Sequence, residues 1–224
     1  MLPEVVWQIP PLGTINLHAS LLPNYRGAAP IQWVIINGEK NTGMTTFYIN
    51  DKIDEGKILL QQEIELNDEM TASELHDIML GSSGDLLIET LNGIHEGVLE
   101  SREQRIIDPE RIRSAPKLYR EDGKIDWNQE AQSVHNRIRG LSPWPGAWST
   151  LKNGEEQKTL KIFKSTLSER PIEAGKIEIS NDSLYVGCGS KSVQLLEVQI
   201  EGRRRMEVRA MLRGTPHFDQ YRLE

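Results

Sequence analysis

Cysteine is nearly missing from this 224-residue chain: Cys188 stands alone. That excludes an intrachain disulfide and any zinc or iron–sulfur site built from several thiolates, and gives redox chemistry no support. A small buried hydrophobe is the commonest role for such a residue. Long apolar runs are missing too. The longest, Ile31-Gln-Trp-Val-Ile-Ile36, is far short of a bilayer span, and Met1-Leu-Pro-Glu4 lacks the basic start of a signal peptide. The expected setting is cytoplasmic, with no membrane partner. His76, His95, His135 and His217 show no metal-ligand spacing, so no metal is expected and these read as structural or exposed. Gly187-Cys-Gly189 lacks the strand-to-helix setting of a dinucleotide fingerprint and reads as a hairpin or bulge. No internal repeat or low-complexity tract is present.

The composition that remains, 38% hydrophobic and 26% charged, belongs to a globular protein able to bury a real core. The net charge of −7 conceals an asymmetry. Up to Leu118 there are 9 Lys and Arg against 18 Asp and Glu; beyond it, 17 against 15. The second half tolerates a polyanion better than the first, although its excess is too small to announce nucleic-acid binding alone.

The most informative stretch is Gly13 to Gly27. Side chains alternate along a strand, so Asn16 and His18 share one face while Ile15 and Leu17 are expected in the core. Strand ends carrying paired polar groups are where open α/β sheets place their chemistry. The same pattern also suits an edge strand with two solvated residues. A helix is expected from Gly27-Ala-Ala-Pro30 to Ile36, stopped by Asn37-Gly38. Strands are expected at Thr42–Ile49 and Lys57–Glu65, joined by a turn-rich loop containing Asp51, Asp54 and Glu55. Thr71-Ala-Ser-Glu74 resembles a capping box. It opens a helix whose core face is expected to hold Leu75, Ile78, Met79, Leu86, Leu87, Leu91 and Ile94, with Gly81–Gly84 as a possible break.

Residues 100–117 have the mixed charge and prolines of an ordered linker. In the second unit, residues 118–224, a short helix at 131–138 leads to a proline-aromatic turn ending at Trp148. Strand signals follow at 159–163, 175–179, 183–186 and 193–200, with a basic helix at 206–213. That rhythm predicts a small β-barrel of the OB type, a frequent nucleic-acid module.

One family is resembled closely. Asn16-Leu-His18-Ala-Ser20-Leu-Leu-Pro23, Arg26-Gly-Ala-Ala-Pro30, Thr42-Gly-Met-Thr45 and Ile53-Asp-Glu-Gly56 occur in the order found in N10-formyltetrahydrofolate-dependent formyltransferases. Lys124-Ile-Asp-Trp127, Ile138-Arg-Gly-Leu-Ser-Pro-Trp-Pro-Gly146, Glu201-Gly-Arg-Arg-Arg-Met206 and Leu212-Arg-Gly214 are similar to the family's tRNA-side C-terminal domain. The resemblance implies an α/β fold: a partial Rossmann-like formyltransferase domain over residues 1–99, then the OB-like domain. It implies formyl transfer from 10-formyltetrahydrofolate, the cosubstrate, to the α-amine of initiator methionyl-tRNA by a monomer.

The resemblance also assigns residues. Asn16, His18 and Asp54 match the family's catalytic triad. An amide N–H from Asn16 suits an oxyanion, His18 suits a proton acceptor near neutral pH, and Asp54 suits orientation of the imidazole. Ser20, Leu21, Leu22 and Pro23 resemble the folate-binding turn, and Leu2 and Pro3 the lining of the pterin pocket; both also read as loop punctuation. Asp51 and Glu55 read as solvated carboxylates. Arg203, Arg204 and Arg205, extended by Arg137 and Arg139, are the expected phosphate contacts, against the plainer reading of a solvated basic loop.

Compared with the family, the sequence lacks the opening strands of the sheet and the loop at the tRNA acceptor end, and an N-terminally incomplete domain is expected. Two rivals stay open: a formyl-folate-dependent enzyme of the sugar-nucleotide or aldehyde type, and a non-catalytic tRNA-binding fragment.

Overall fold

The apolar and β-branched segments read from the sequence become the layers of two separate units. The computed structural model describes residues 3–106 and 108–224, so Leu2, one of the expected pterin contacts, lies outside the described residues. One unit comprises Met1–Val34, Glu39–Asp68 and Glu74–Leu118; the other comprises Ile35–Gly38, Glu69–Ser73 and Tyr119–Glu224.

In chain order the first half contains α1 (Glu4–Trp7), β1 (Ile15–His18), β2 (Arg26–Gly27), α2 (Pro30–Ile36), β3 (Asn41–Tyr48), β4 (Ile58–Glu65), α3 (Ala72–His95) and β5 (Ser114–Ala115). Strand β3 lies between β1 and β4 and runs antiparallel to both. It is the core strand because Thr42 to Phe47 are all buried, which suits its β-branched and aromatic composition. Thr45 and Thr46 satisfy their buried hydroxyls, Thr45 through the Ser20 carbonyl at 2.7 Å and Thr46 through Thr90 at 2.9 Å.

Several expectations for this unit need correction. Within its described residues, parallel pairing is confined to the two-residue β2–β5 ladder. Ile15 and Leu17 are only half-buried. Helix α3 runs through Gly81–Gly84 without a break, and Leu75, Met79 and Leu86 face the core as expected, but Ile78 and Leu91 are exposed. The segment read as a linker is anchored on the first unit: Arg102 exchanges both backbone hydrogen bonds with Ile58, at 2.8 and 2.9 Å, and β5 pairs with β2.

The second unit holds α4 (Ala131–Gly140), β6 (Ala147–Asn153), β7 (Glu156–Ser168), β8 (Ile177–Ser180), β9 (Ser183–Cys188), β10 (Lys191–Ile200), β11 (Met206–Glu207), α5 (Val208–Arg213) and β12 (Arg222–Leu223). The sheet order is β12-β6-β7-β10-β9-β8, with β11 beside β10. It curls until its two edges meet, where Lys176 bridges Arg222 and the Leu223 amide donates to the Gly175 carbonyl at 2.9 Å. Register shifts between Leu195 and Val198 in the β7–β10 ladder supply local bending. Leu160, Ile162, Leu184, Leu195 and Val198 fill the interior with Ile138 of α4. Gly187 and Cys188 end β9, and Gly189 turns the chain into β10. Cys188 is fully buried, and burial pushes its thiol up to about 12. Strand β6 was hidden in the sequence by the proline-rich run that precedes Ala147.

Candidate active site

Strand β1 delivers Asn16 and His18 as the alternation predicts, but to different surroundings. Asn16 is exposed, whereas His18 is only 6% exposed. The His18 ring is fixed by the main chain: Nε2 lies 2.8 Å from the Tyr25 carbonyl oxygen. A carbonyl only accepts, so Nε2 carries the hydrogen, and Nδ1 is the nitrogen of the neutral ring able to take up a proton. That nitrogen is 3.7 Å from Oδ2 of Asp54, an ion-pair distance rather than a hydrogen bond. Orientation of the imidazole, expected from Asp54, is therefore supplied by Tyr25, while Asp54 stands opposite the proton-accepting nitrogen.

Both residues facing His18 hold left-handed backbone, Tyr25 at φ 59° and Asp54 at φ 55°. Aspartate tolerates such an angle, whereas a bulky tyrosine keeps it where its surroundings over-determine it, and several contacts hold both residues here. The Tyr25 amide donates to the Arg113 carbonyl at 2.6 Å, and its hydroxyl donates to Glu39 at 2.5 Å. Asp54 Oδ2 accepts from the Gly27 amide at 3.0 Å. Gly56 follows because a Cβ there would sit 1.6 Å from the Tyr48 carbonyl oxygen. Glu55, expected to be solvated, pairs with Arg26 at 3.0 Å and with Lys52 at 3.7 Å. Gln104 joins the same loop, donating to the carbonyls of Asp54 and Gly56 at 2.8 Å each.

A cavity of about 600 Å³ opens against this loop, lined among others by Pro3, Trp7, Asn16, Phe47, Asp51 and Asp54. Its size and its mixture of apolar wall and convergent polar groups suit a small-molecule ligand. Pro3, an expected folate contact, is on its wall. Ser20, Leu21, Leu22 and Pro23 are absent from this lining. Ser20 is fully buried with Oγ donating to the Asn24 carbonyl at 2.6 Å, and Leu22 packs against Phe47 and Ile58. The Ser20 and Leu22 side chains thus hold the turn onto the core, and what the turn presents outward is its backbone. Among the described residues no three His, Cys, Asp or Glu side chains gather as a metal site.

The expected phosphate contacts, all in the second unit, divide sharply. Arg203 and Arg204 are exposed, with Arg203 donating to Thr215 at 2.8 Å. Arg205 is committed to Glu197 by two hydrogen bonds at 2.7 and 2.6 Å and lies over the Phe163 ring, 4.2 Å from its centroid. Arg137 is half-buried against the Asp122 carbonyl, and desolvation lowers its pKa. Arg139 is 3% exposed and donates to Asn136 Oδ1 at 3.0 Å and to the Met70 carbonyl at 2.9 Å. Its guanidinium is enclosed within the unit, so the expectation of a phosphate contact is corrected for Arg139.

Comparison with known proteins agrees with the architecture. The formyl transferase family matches residues 1–91, and the formyl transferase C-terminal domain matches residues 117–216. The methionyl-tRNA formyltransferase of Flavobacterium johnsoniae is 44% identical over 222 residues, 98% of this chain and 70% of that protein. The enzyme of the same name from Geobacter metallireducens is 41% identical, over 96% of this chain and 67% of its own. Among solved structures, HypX from Aquifex aeolicus superposes with TM-score 0.68 at 18% identity, over 96% of this chain and 38% of that one. WlaRD, a sugar 3N-formyl transferase, gives TM-score 0.65 at 20% identity, over 85% and 66%. At such identities these two superpositions speak for the fold alone. The sequence relatives carry the assignment: the chain belongs to the methionyl-tRNA formyltransferase family of formyl transferases.

Proposed function

We propose that this protein transfers the formyl group of 10-formyltetrahydrofolate to the α-amino group of methionyl-tRNA, supplying the initiator for translation. The observation that carries the reading is the placement of Asn16 and Asp54 on one cavity, with the lone-pair nitrogen of His18 facing Asp54. Family membership supports the choice of acceptor.

The amine nitrogen bonds to the formyl carbon, the bond from that carbon to folate N10 breaks, one amine proton leaves and N10 takes one up. Asn16, exposed on the cavity wall, donates its amide N–H to the oxygen that becomes negative in the transition state. A donor of this kind is worth roughly 3–4 kcal/mol when aligned. His18 holds the amine proton at Nδ1, opposite the Asp54 carboxylate, while Tyr25 keeps Nε2 occupied. No covalent intermediate is required.

The first unit acts as the catalytic domain, and residues 118–224 form an OB-like tRNA-side domain. Pro3 and the Leu21–Pro23 turn contribute to folate binding through loop shape. Arg203 and Arg204 are exposed and, unlike Arg205, are not taken up by Glu197; they meet phosphates, and Arg209 and Arg213 of α5 add to the cluster. The protein acts in the cytoplasm as a monomer.

A formylation assay with methionyl-tRNA and 10-formyltetrahydrofolate tests the reading. Formyl-methionyl-tRNA is expected as the product. No transfer to tRNA, with transfer to an amino-sugar nucleotide, would replace the acceptor; salt-sensitive tRNA binding without turnover would leave a binding module.

A further inference from the structure

Gln104 lies in the segment whose composition reads as a linker, yet its side chain uses its full hydrogen-bonding capacity, on the loop that carries Asp54 and on Arg26 of β2. Both hydrogens of Nε2 are donated, one to the Asp54 carbonyl and one to the Gly56 carbonyl, each at 2.8 Å. Oε1 accepts from Arg26, from Nε at 3.0 Å and from Nη2 at 2.6 Å. The amide orientation is therefore unique: reversed, the NH2 group would face guanidinium donors and the oxygen would face two carbonyls.

The contacts close a ring. Arg26, held by Gln104, pairs through Nη1 with Glu55, the neighbour of Asp54. Gly27, the neighbour of Arg26, donates its amide to Asp54 Oδ2. The Gln104 backbone is tethered two residues upstream by the Arg102–Ile58 bridge. Asp54 itself sits at φ 55°, in the left-handed region that aspartate tolerates better than most residues.

We propose that Gln104 is a positioning residue for formyl transfer, clamping the Asp54–Gly56 backbone so that the Asp54 carboxylate stays opposite His18 Nδ1. The proposal rests on the reading of Asp54 as the carboxylate partner of His18 in catalysis. Gln104 acts through the two loop carbonyls and touches neither substrate.

The test uses Gln104→Met, which keeps the length of the side chain and deletes its amide, and Gln104→Glu, which keeps the acceptor for Arg26 and removes both donors to the loop. Each is expected to lower kcat by about ten- to a hundredfold, with KM for both substrates within about threefold. In single-turnover reactions on an Asp54→Ala background, Gln104→Met is expected to cost nothing further, because the group it positions has gone. A multiplied loss on that background, or a fully active Gln104→Glu enzyme, would overturn the clamp. Amide exchange judges it independently of activity. The Gly27 amide, protected in the wild type by Asp54, is expected to exchange about tenfold faster in Gln104→Met, while the Tyr25 amide, bonded to Arg113, stays protected. Unchanged Gly27 exchange overturns the proposal, whereas a wild-type protein that transfers no formyl group overturns the functional reading instead.

Discussion

His18 donates Nε2–H to the main-chain oxygen of Tyr25 at 2.8 Å, and Tyr25 reaches that position with φ at 59°. A backbone oxygen thus fixes the ring's tautomer and leaves Nδ1 to face Asp54 at 3.7 Å. The nitrogen of the neutral ring that can take up a proton is thereby set by geometry.

Removal of that ring is the direct check. His18→Ala is expected to lower the single-turnover rate of formyl transfer by about 10²- to 10⁴-fold, the range for loss of a general acid–base group. The affinity for methionyl-tRNA, measured by filter binding, is expected to stay within about twofold, since phosphate contacts supply most of that binding. A rate unchanged by the substitution would remove His18 from the mechanism.

The basic cluster makes a different prediction for each arginine. Arg203→Ala with Arg204→Ala removes exposed charge, so tRNA binding is expected to weaken and the slope of log affinity against log salt to flatten by about one to two. Arg139→Met removes a buried guanidinium bonded to Asn136 and to the Met70 carbonyl. It is expected to destabilise the fold by about 2–3 kcal/mol, read by thermal or urea unfolding, while the salt slope stays as in the wild type. Binding that fails to respond to the double substitution would remove the patch assignment.

What the sequence disclosed and what it withheld follow from how each contact is made. Asn16, His18 and Asp54 are side chains in a recognisable order, so they could be named from the chain alone. The Tyr25 carbonyl and the Gly27 amide are backbone atoms, which leave no signature in residue identity. Gln104 acts from a segment of neutral composition, forty-eight residues beyond Gly56 in the chain, and only the fold brings it there. Strand β3 was legible because its burial follows β-branched and aromatic content, and β4 because its residues alternate beside it. Helix α3 was half legible: its period identifies a helix, but the exposure of Ile78 and Leu91 depends on what lies beside them. Arginine identity likewise gives charge without saying whether burial or a partner consumes it, which is why the buried Arg139 and the Glu197-paired Arg205 both read as available cations.

Arg205 and Glu197 predict a pH response of the second unit. The hydrogen bond from Arg205 holds the Glu197 carboxyl below its ordinary value of 4.5. A carboxylate whose folded pKa is depressed contributes stability above its unfolded pKa and loses that contribution as pH falls through the folded value. The contribution is therefore present at neutral pH and disappears below pH 4.5. Arg205→Met returns Glu197 toward its ordinary value while keeping an apolar stem over Phe163. The variant is expected to unfold more readily than the wild type at pH 7, and the gap between their urea midpoints is expected to narrow progressively as pH drops below 4.5. Salt lowers the gap at neutral pH as well, because the Arg205 and Glu197 side chains are 42% and 31% exposed. A gap independent of pH would assign the role of Arg205 to its stacking on Phe163 alone.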